Sequence, residues 1–254
     1  MNHDDIARHF SRAVELPEAY AQACATHHRA AAERLLAQSQ DFLKKLPLHT
    51  GMEVLDIGSG YGFHSRHFAA QGCVTTALTF HAPPELVASA AQDGYRLIAG
   101  DMHQLPFPDA SFDLVWSHHS LEHSHCSPAL LREWYRVARP GGWLAVTVPP
   151  HKNDIVSGHF HTGWNVGQLL YLTGVAGFDL RAGFFLEEGY NVRALVARPA
   201  QDIDPSGLSW LRVLKDRLPR SLLPHLREQP TSLGGYNFPG RLRYLDDQTC
   251  ELLP

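Results

Sequence analysis

The stretch VLDIGSGYG, residues 54–62, decides the fold of this chain. Its first four residues predict a short buried strand, and a helical segment follows the glycines. Gly58, Gly60 and Gly62 let the main chain turn tightly and approach a ligand closely. Strand, glycine loop and helix in this order predict a ligand site at the carboxyl end of the strand.

The spacing of the glycines narrows the kind of ligand. Loops that bind dinucleotides use G-x-G-x-x-G, whose third glycine position is Phe63 in this chain. The loop therefore matches a nicotinamide dinucleotide fold only in part.

Strand and helix patterns alternate after the loop. We predict strands at 54–57, 73–79, 96–99, 112–116, 143–148, 179–186 and 191–197, with helices after the first, second, fourth and fifth. About four residues link the last two strands, and so short a link cannot cross a sheet, so these strands must be antiparallel neighbours. The expected fold is α/β: a Rossmann-like, seven-stranded, mostly parallel sheet with a final antiparallel hairpin strand and helices on both faces.

Two further segments flank this main domain of residues 48–200. Residues 1–47 are rich in helix formers and predict an N-terminal helical cap. Residues 201–254 predict a tail that is partly helical, at 210–218, and otherwise irregular, because prolines and glycines interrupt it.

Composition excludes several classes of protein. The net charge is −4 and no basic cluster occurs, so nucleic acid is not an expected partner. The acidic, polar start lacks the features of a signal peptide, and no apolar stretch reaches about 18 residues, so we expect no membrane span. Four separated cysteines without a CxxC pair indicate reduced thiols and a cytoplasmic protein.

Four further motifs follow the glycine loop in order. They are GDM at 100–102, LPFPDASFDLV at 105–115, LEH at 121–123 and RVARPGG at 136–142. With the glycine loop, this chain resembles the class I S-adenosylmethionine (SAM)-dependent methyltransferases over roughly residues 50–198. The motifs are similar to the small-molecule branch of that family, with its type 11-like methyltransferase domain. The resemblance implies a SAM-binding domain, SAM as cofactor and a methyltransferase activity.

The resemblance also implies roles for single residues. It places the methionine part of SAM at the loop, with Asp56 shaping it, and the adenine beside Asp101 and Met102. Asp101 would accept from the adenine amino group, although both carboxylates could instead only cap neighbouring turns. The implied cofactor-binding set is Asp56, Gly58, Ser59, Gly60, Gly62, Thr79, Asp101, Met102 and Ser117.

Thr79 departs from the family pattern. The family usually has Asp or Glu at this position, where it binds both ribose hydroxyls, and no acidic residue occurs from Ile57 through Pro84. A hydroxyl replaces one hydrogen bond but not a charge-assisted pair, a loss of ~1–2 kcal/mol. Three interpretations stay open: weaker cofactor binding, compensation by another residue, or a non-catalytic descendant of the family.

The chain has 17 histidines, and several fall in loops at the cofactor end of the sheet. A hydroxyl or amine acceptor must lose a proton, and imidazole suits that task. His118, His119 and His151 are the candidates for the base, with a polar loop residue as the alternative for each. His-x-His pairs at 123–125 and 159–161 would suit a transition metal, but we assign no metal to the site.

The leading hypothesis is methyl transfer from SAM to an oxygen or nitrogen of a small molecule. A sugar, a glycolipid precursor or a secondary metabolite is the expected acceptor, and a homodimer is allowed for. The alternatives are a SAM- or nucleotide-binding protein of this fold without methyltransferase activity, and a metal-assisted methyltransferase.

Overall fold

The computed structural model describes residues 34, 36–82, 84–153, 155–156, 158–201, 217–228 and 236–253. The chain divides into two compact units, Met1–Lys44 and Lys45–Pro254. In the first unit, residues 36–43 are helical. Most of the predicted N-terminal cap and of the helix predicted at 210–218 lies outside the described residues, so both assignments stay predictions.

The second unit contains an α/β domain. Its helices are α1 (Phe63–Ala70), α2 (Pro84–Gln92), α3 (Ser127–Val137) and α4 (Val166–Ala176), with 3₁₀ turns at Leu121–His123 and Arg220–His225. Its strands are β1 (Glu53–Ile57), β2 (Val74–Thr79), β3 (Arg96–Ala99), β4 (Phe112–His118), β5 (Ala138–Val148), β6 (Asp179–Glu188), β7 (Asn191–Ala197), β8 (Arg227–Glu228), β9 (Tyr236–Asn237), β10 (Leu242–Asp246) and β11 (Cys250–Leu252).

One mixed sheet dominates the domain, with the strand order β11-β10-β6-β7-β5-β4-β1-β2-β3. Strands β1 to β5 run parallel to their neighbours among themselves. Strand β7 is antiparallel to both β5 and β6, as the short link between the last two predicted strands required. The α/β class and the final hairpin are thus confirmed.

The predicted number of seven strands was wrong, because the sheet has nine. The two additional strands come from the tail that we expected to be helical or irregular. Strand β10 pairs antiparallel with β6, and β11 pairs with β10. The pairing satisfies backbone groups that would otherwise be unpaired at the β6 edge.

Helix packing follows the sequence pattern closely. The apolar stripe of α3 is completely buried, with its members Leu130, Leu131, Trp134 and Val137 all at 0% exposure. Helix α4 begins after Asn165, whose side chain accepts from the Gln168 N–H at 2.8 Å, and ends at Gly177 in the left-handed conformation. The Asn165 cap and the left-handed Gly177 thus define the two ends of α4.

The register of the parallel strands brings their carboxyl ends to one edge of the sheet. Ile57 lies opposite both Leu78 and Ser117, and His118 lies opposite Thr147. The loops that follow β1, β2, β3, β4 and β5 therefore meet at this edge, where such sheets bind ligands. Within the described residues, no helix combines the length and the hydropathy that a membrane crossing requires.

Candidate functional site

The glycine loop between β1 and α1 is built from left-handed residues. Gly58, Gly60 and Gly62 have φ values of 72°, 52° and 72°. A Cβ on Gly58 would lie 2.0 Å from Ser120 Oγ, and one on Gly62 would lie 2.0 Å from the Tyr95 hydroxyl. A Cβ on Gly60 would meet no described atom within 4 Å. Two glycines are thus required by packing, whereas Gly60 borders open space.

Several N–H groups of the loop are committed to the protein itself. Those of Gly58 and Ser59 donate to the Leu78 carbonyl at 2.8 and 3.1 Å, and that of Gly62 donates to the Ser59 carbonyl at 2.9 Å. These three N–H groups therefore bond within the protein. The bonds to Leu78 fix the loop against the end of β2.

Asp56 ties the strand before the loop to the helix after it. The carboxyl group is buried, and its Oδ2 accepts from the Ser65 hydroxyl at 2.5 Å. Burial raises the pKa of Asp56 to about 7, against the opposing hydrogen bonds from Ser65. The geometry agrees with the loop-shaping role that the family resemblance implied for this residue.

Asp101 lies in the loop after β3 and is joined to His103, which was not among the predicted site residues. Its Oδ1 accepts from the His103 backbone N–H at 2.9 Å and contacts His103 Nδ1, also at 2.9 Å. His103 Nε2 lies 2.9 Å from Ser124 Oγ, which connects this loop to the one after β4. The spacing Asp-x-His is typical of a turn capped by the Asp side chain, and it could have indicated His103 from the sequence. Met102 is half-buried against the main core.

Polar atoms without protein partners mark the ends of β1 and β4. Among the described residues, Ser59 Oγ and Ser117 Oγ are buried and lack a hydrogen-bond partner. Thr79 is half-buried at the end of β2. Buried hydroxyls normally find a partner, so these unpartnered atoms suit a polar ligand. The donor set fits the carboxylate and amino group of SAM, and the cofactor roles stay predictions.

A row of aromatic rings extends the site from the glycine loop. His64, in the first turn of α1, lies 4.8 Å from His118 between ring centroids, and His118 lies 4.7 Å from His119. The His119 ring stacks on Tyr190 at 5.7 Å. His118 is the last residue of β4, whereas the sequence-based prediction ended this strand at residue 116 and placed His118 in the loop after it. His64 was missed, although its place directly after the loop could have suggested it.

Burial keeps the first two imidazoles of this row neutral. It lowers the pKa of His64 to about 3, and it lowers the pKa of His118 well below 6.5, helped by nearby His64, His119 and Arg193. Both ring nitrogens of His118 are buried and lack a hydrogen-bond partner among the described residues.

We expect His118 to make the fold sensitive to acid. Its pKa is depressed in the folded state, so its contribution to stability is present above about 6.5 and is lost as the pH falls below that value. Between pH 7 and pH 5 the wild type should lose about 2 kcal/mol more unfolding free energy than His118→Phe. Urea unfolding of both proteins at the two pH values measures this difference. Equal losses in the two proteins would contradict the assignment.

The two other candidate bases differ in how they are held. His119 Nδ1 lies 3.2 Å from Glu122 Oε1, and its Nε2 lies 3.0 Å from Asn191 Oδ1. His151 is exposed, and its Nδ1 lies 3.3 Å from the Thr162 carbonyl. Two side chains therefore orient His119, whereas one backbone oxygen contacts His151.

The histidine pairs read from the sequence separate in the structure. The His123 ring lies 4.9 Å from His159, His125 lies 4.3 Å from His103, and His161 lies 4.2 Å from Trp164. His123, from the first His-x-His pair, thus contacts His159, from the second pair, and the two residues come from different loops.

Comparison with known proteins agrees with this fold. Residues 55–146 match the family model described as a methyltransferase domain. This region is therefore similar to methyltransferase domains. The match ends within β5, so the residues after 146 carry no family assignment from it.

Relatives named malonyl-[acyl-carrier protein] O-methyltransferase share this region. That of Pectobacterium atrosepticum is 33% identical over 144 residues, which are 57% of this chain and 53% of the relative. That of Serratia marcescens is 39% identical over 145 residues, 56% of this chain and 51% of the relative. The similarity thus spans about half the length of these relatives.

Solved structures support the fold alone. A chain from the complex between the Haloferax volcanii Trm112 methyltransferase activator and a methyltransferase has a TM-score of 0.59 and 20% identity, covering 72% of this chain and 99% of that one. A SAM-dependent methyltransferase from Aquifex aeolicus has a TM-score of 0.52 and 20% identity, covering 63% and 88%.

Proposed function

We propose that this protein transfers a methyl group from SAM to an oxygen of a small acceptor. The observation that carries the proposal is the pair of unpartnered, buried hydroxyls, Ser59 and Ser117, near the carboxyl ends of β1 and β4 in a region similar to methyltransferase domains. The choice of oxygen is supported by the names of the relatives, which are O-methyltransferases.

SAM, when bound, supplies a methyl group on a sulfonium with its own leaving group. The chain's contribution is then to position the cofactor and the acceptor and to exclude water. The Ser59 and Ser117 hydroxyls would hold the polar end of the methionine, and Asp56 would keep the loop in place through Ser65. His119, oriented by Glu122, would take the proton of a hydroxyl acceptor at Nε2, where the acceptor would replace Asn191 as the partner of that nitrogen.

The acceptor would lie over a shallow depression beside the cofactor edge. Pro149 and Pro150, which follow β5, line it together with Lys152, Thr162 and Tyr190. The Lys152 ammonium lies 4.1 Å from the centre of the Tyr190 ring. A cation next to an aromatic face suits an acceptor that is planar or carries negative charge, such as a carboxylate.

The proposal is tested by SAM binding and by turnover. Calorimetry measures the affinity for SAM, and formation of S-adenosylhomocysteine is followed with a malonyl thioester of a carrier protein and with hydroxyl acceptors. Transfer of a methyl group to an oxygen supports the proposal. The absence of SAM binding would contradict it.

Thr79 favours a second candidate, a SAM-binding protein without methyltransferase activity. The hydroxyl at the end of β2 stands where the family usually has a carboxylate for the ribose. Tight SAM binding without turnover on any acceptor tested would support this candidate over the first.

Replacing Asp101 by Ala should weaken SAM binding by ~1–3 kcal/mol, because the adenine amino group would lose its acceptor. Asp109→Ala is the matched control, since Asp109 pairs with Arg136 at 2.7 Å on the surface, away from the strand ends. Calorimetry on both variants checks the prediction, and urea unfolding separates it from loss of the turn at His103. Unchanged SAM affinity in Asp101→Ala would leave Asp101 as a turn cap only.

A further inference from the structure

Glu122, His123 and His159 lie together at one side of the site. One carboxylate oxygen of Glu122 and one ring nitrogen of each histidine all lie within 4.8 Å of one another. Glu122 is buried, His123 is exposed and His159 is half-buried. The cluster therefore has one buried anion and two imidazoles that solvent reaches.

The carboxylate of Glu122 calls for a positively charged partner. The residue is 1% exposed, yet its Oε2 has no hydrogen-bond partner among the residues that the structure describes. Burying a carboxylate oxygen without a partner is costly, and such groups usually pair with a cation or coordinate a metal. The other oxygen, Oε1, faces His119 Nδ1 at 3.2 Å, which fixes the orientation of the carboxylate.

The His123 ring is oriented as metal-binding histidines are. Its Nδ1 lies 2.8 Å from the Gly158 carbonyl, and a carbonyl can only accept, so Nδ1 carries the proton. Nε2 then holds the lone pair. A backbone carbonyl on the opposite ring nitrogen is the usual second contact of a metal-ligating histidine.

The loop that carries His159 is tied to the same short segment. The Glu122 carbonyl accepts from the backbone N–H groups of Phe160 at 2.9 Å and of His161 at 3.3 Å. With the His123 bond to Gly158, these contacts hold residues 158–161 against the 3₁₀ turn that contains Glu122 and His123. The three candidate ligands are thus held together by backbone contacts that do not use the ligand atoms themselves.

We propose that Glu122, His123 and His159 bind a transition-metal ion of the zinc type. Two imidazoles and one carboxylate are a donor set that zinc takes with a fourth position open. Bond lengths of about 2.0–2.2 Å place tetrahedral ligand atoms about 3.4 Å apart. Side-chain rotations that move the ligand atoms by about 1 Å would therefore bring them to metal-binding distance. His159 also lines the depression beside Lys152 and Tyr190. An ion here would polarise an acceptor oxygen, a role that rests on the proposed function.

Metal binding is tested directly, without SAM or acceptor. Protein without a histidine tag is stripped with a chelator and titrated with Zn²⁺ by calorimetry. The wild type should bind one ion, and His123→Ala and His159→Ala should each bind at least tenfold more weakly. His125→Ala is the matched control, because His125 is exposed in the same loop but packs against His103.

A second measurement keeps the result independent of folding. Cobalt replaces zinc in such sites and gives visible absorption bands that depend on the ligands, so Glu122→Gln and His159→Ala should lose the wild-type spectrum while far-ultraviolet circular dichroism stays unchanged. No zinc binding by the wild type, or equal binding by all variants, would overturn the proposal. SAM affinity, measured separately on the same preparations, shows whether the proposed function fails on its own.

Discussion

Gly58→Ala should destabilise the protein by about 2–5 kcal/mol. Gly58 has φ of 72°, where a Cβ costs about 1–2 kcal/mol. The new Cβ would also lie 2.0 Å from Ser120 Oγ and 2.7 Å from Ser120 Cβ. Pushing Ser120 away adds an overpacking cost of about 1–3 kcal/mol. Urea unfolding at neutral pH measures the total, and SAM affinity should fall with it because the loop shifts.

Two further variants separate the causes of this loss. Gly51→Ala is the matched control, because Gly51 has φ of 80° but a Cβ there would meet no described atom within 4 Å. It should cost only the backbone strain, about 1–2 kcal/mol. Adding Ser120→Gly to Gly58→Ala should recover part of the loss, as a double-mutant cycle would show. Equal losses in the two single alanine variants would mean that the contact with Ser120 is unimportant.

His119→Asn should lower kcat on hydroxyl acceptors by ~10²–10⁴-fold, because a positioned base contributes about that much. His119 has φ of 54°, and asparagine tolerates this region better than alanine, so the substitution removes the imidazole with little added strain. The affinity for SAM should change less than about twofold, since only the acceptor's proton is affected. Initial rates of S-adenosylhomocysteine formation give kcat and KM.

Several readouts distinguish a base from a structural residue. Added imidazole should restore part of the rate in His119→Asn, and a carboxylate acceptor, which has no proton to lose, should be methylated at nearly the wild-type rate. His151→Asn should lose less on every acceptor, because only the Thr162 carbonyl contacts its Nδ1. If His151→Asn lost as much as His119→Asn, or more, His151 would be the better candidate.

The sequence predicted the parallel half of the fold well but missed two strands in the tail. The early strands are short apolar runs between strong turn signals, and the four-residue link left only one arrangement for β6 and β7. Strand β10 lacks such a signal. Its register shifts between Leu242 and Tyr244, so its buried residues, Leu242 and Leu245, are three positions apart and do not alternate. Such irregular pairing depends on long-range contact with the edge of β6, which the sequence around β10 does not indicate.

For the site, the motifs located the loops but not the contacts between them. Asp56 and the glycines lie where the pattern placed them, because a local strand-loop-helix unit builds that part. The meeting of His123 with His159 depends on how the loop after β5 folds back onto Glu122. Nearby positions in the sequence suggested the pairs His123 with His125 and His159 with His161, and long-range packing chose differently.

The family match ends at residue 146, two residues before the end of β5, while residues 143–148 of β5 pair with β7 on the other side of the strand. The recognisable segment is therefore only half of a continuous ladder and would leave one flank of β5 bare if separated. Backbone hydrogen bonds form that ladder, and they are compatible with many different side chains. The residues after 146 can therefore diverge in sequence, and with them the walls of the proposed acceptor site, while residues 55–146 keep the motifs of the family model.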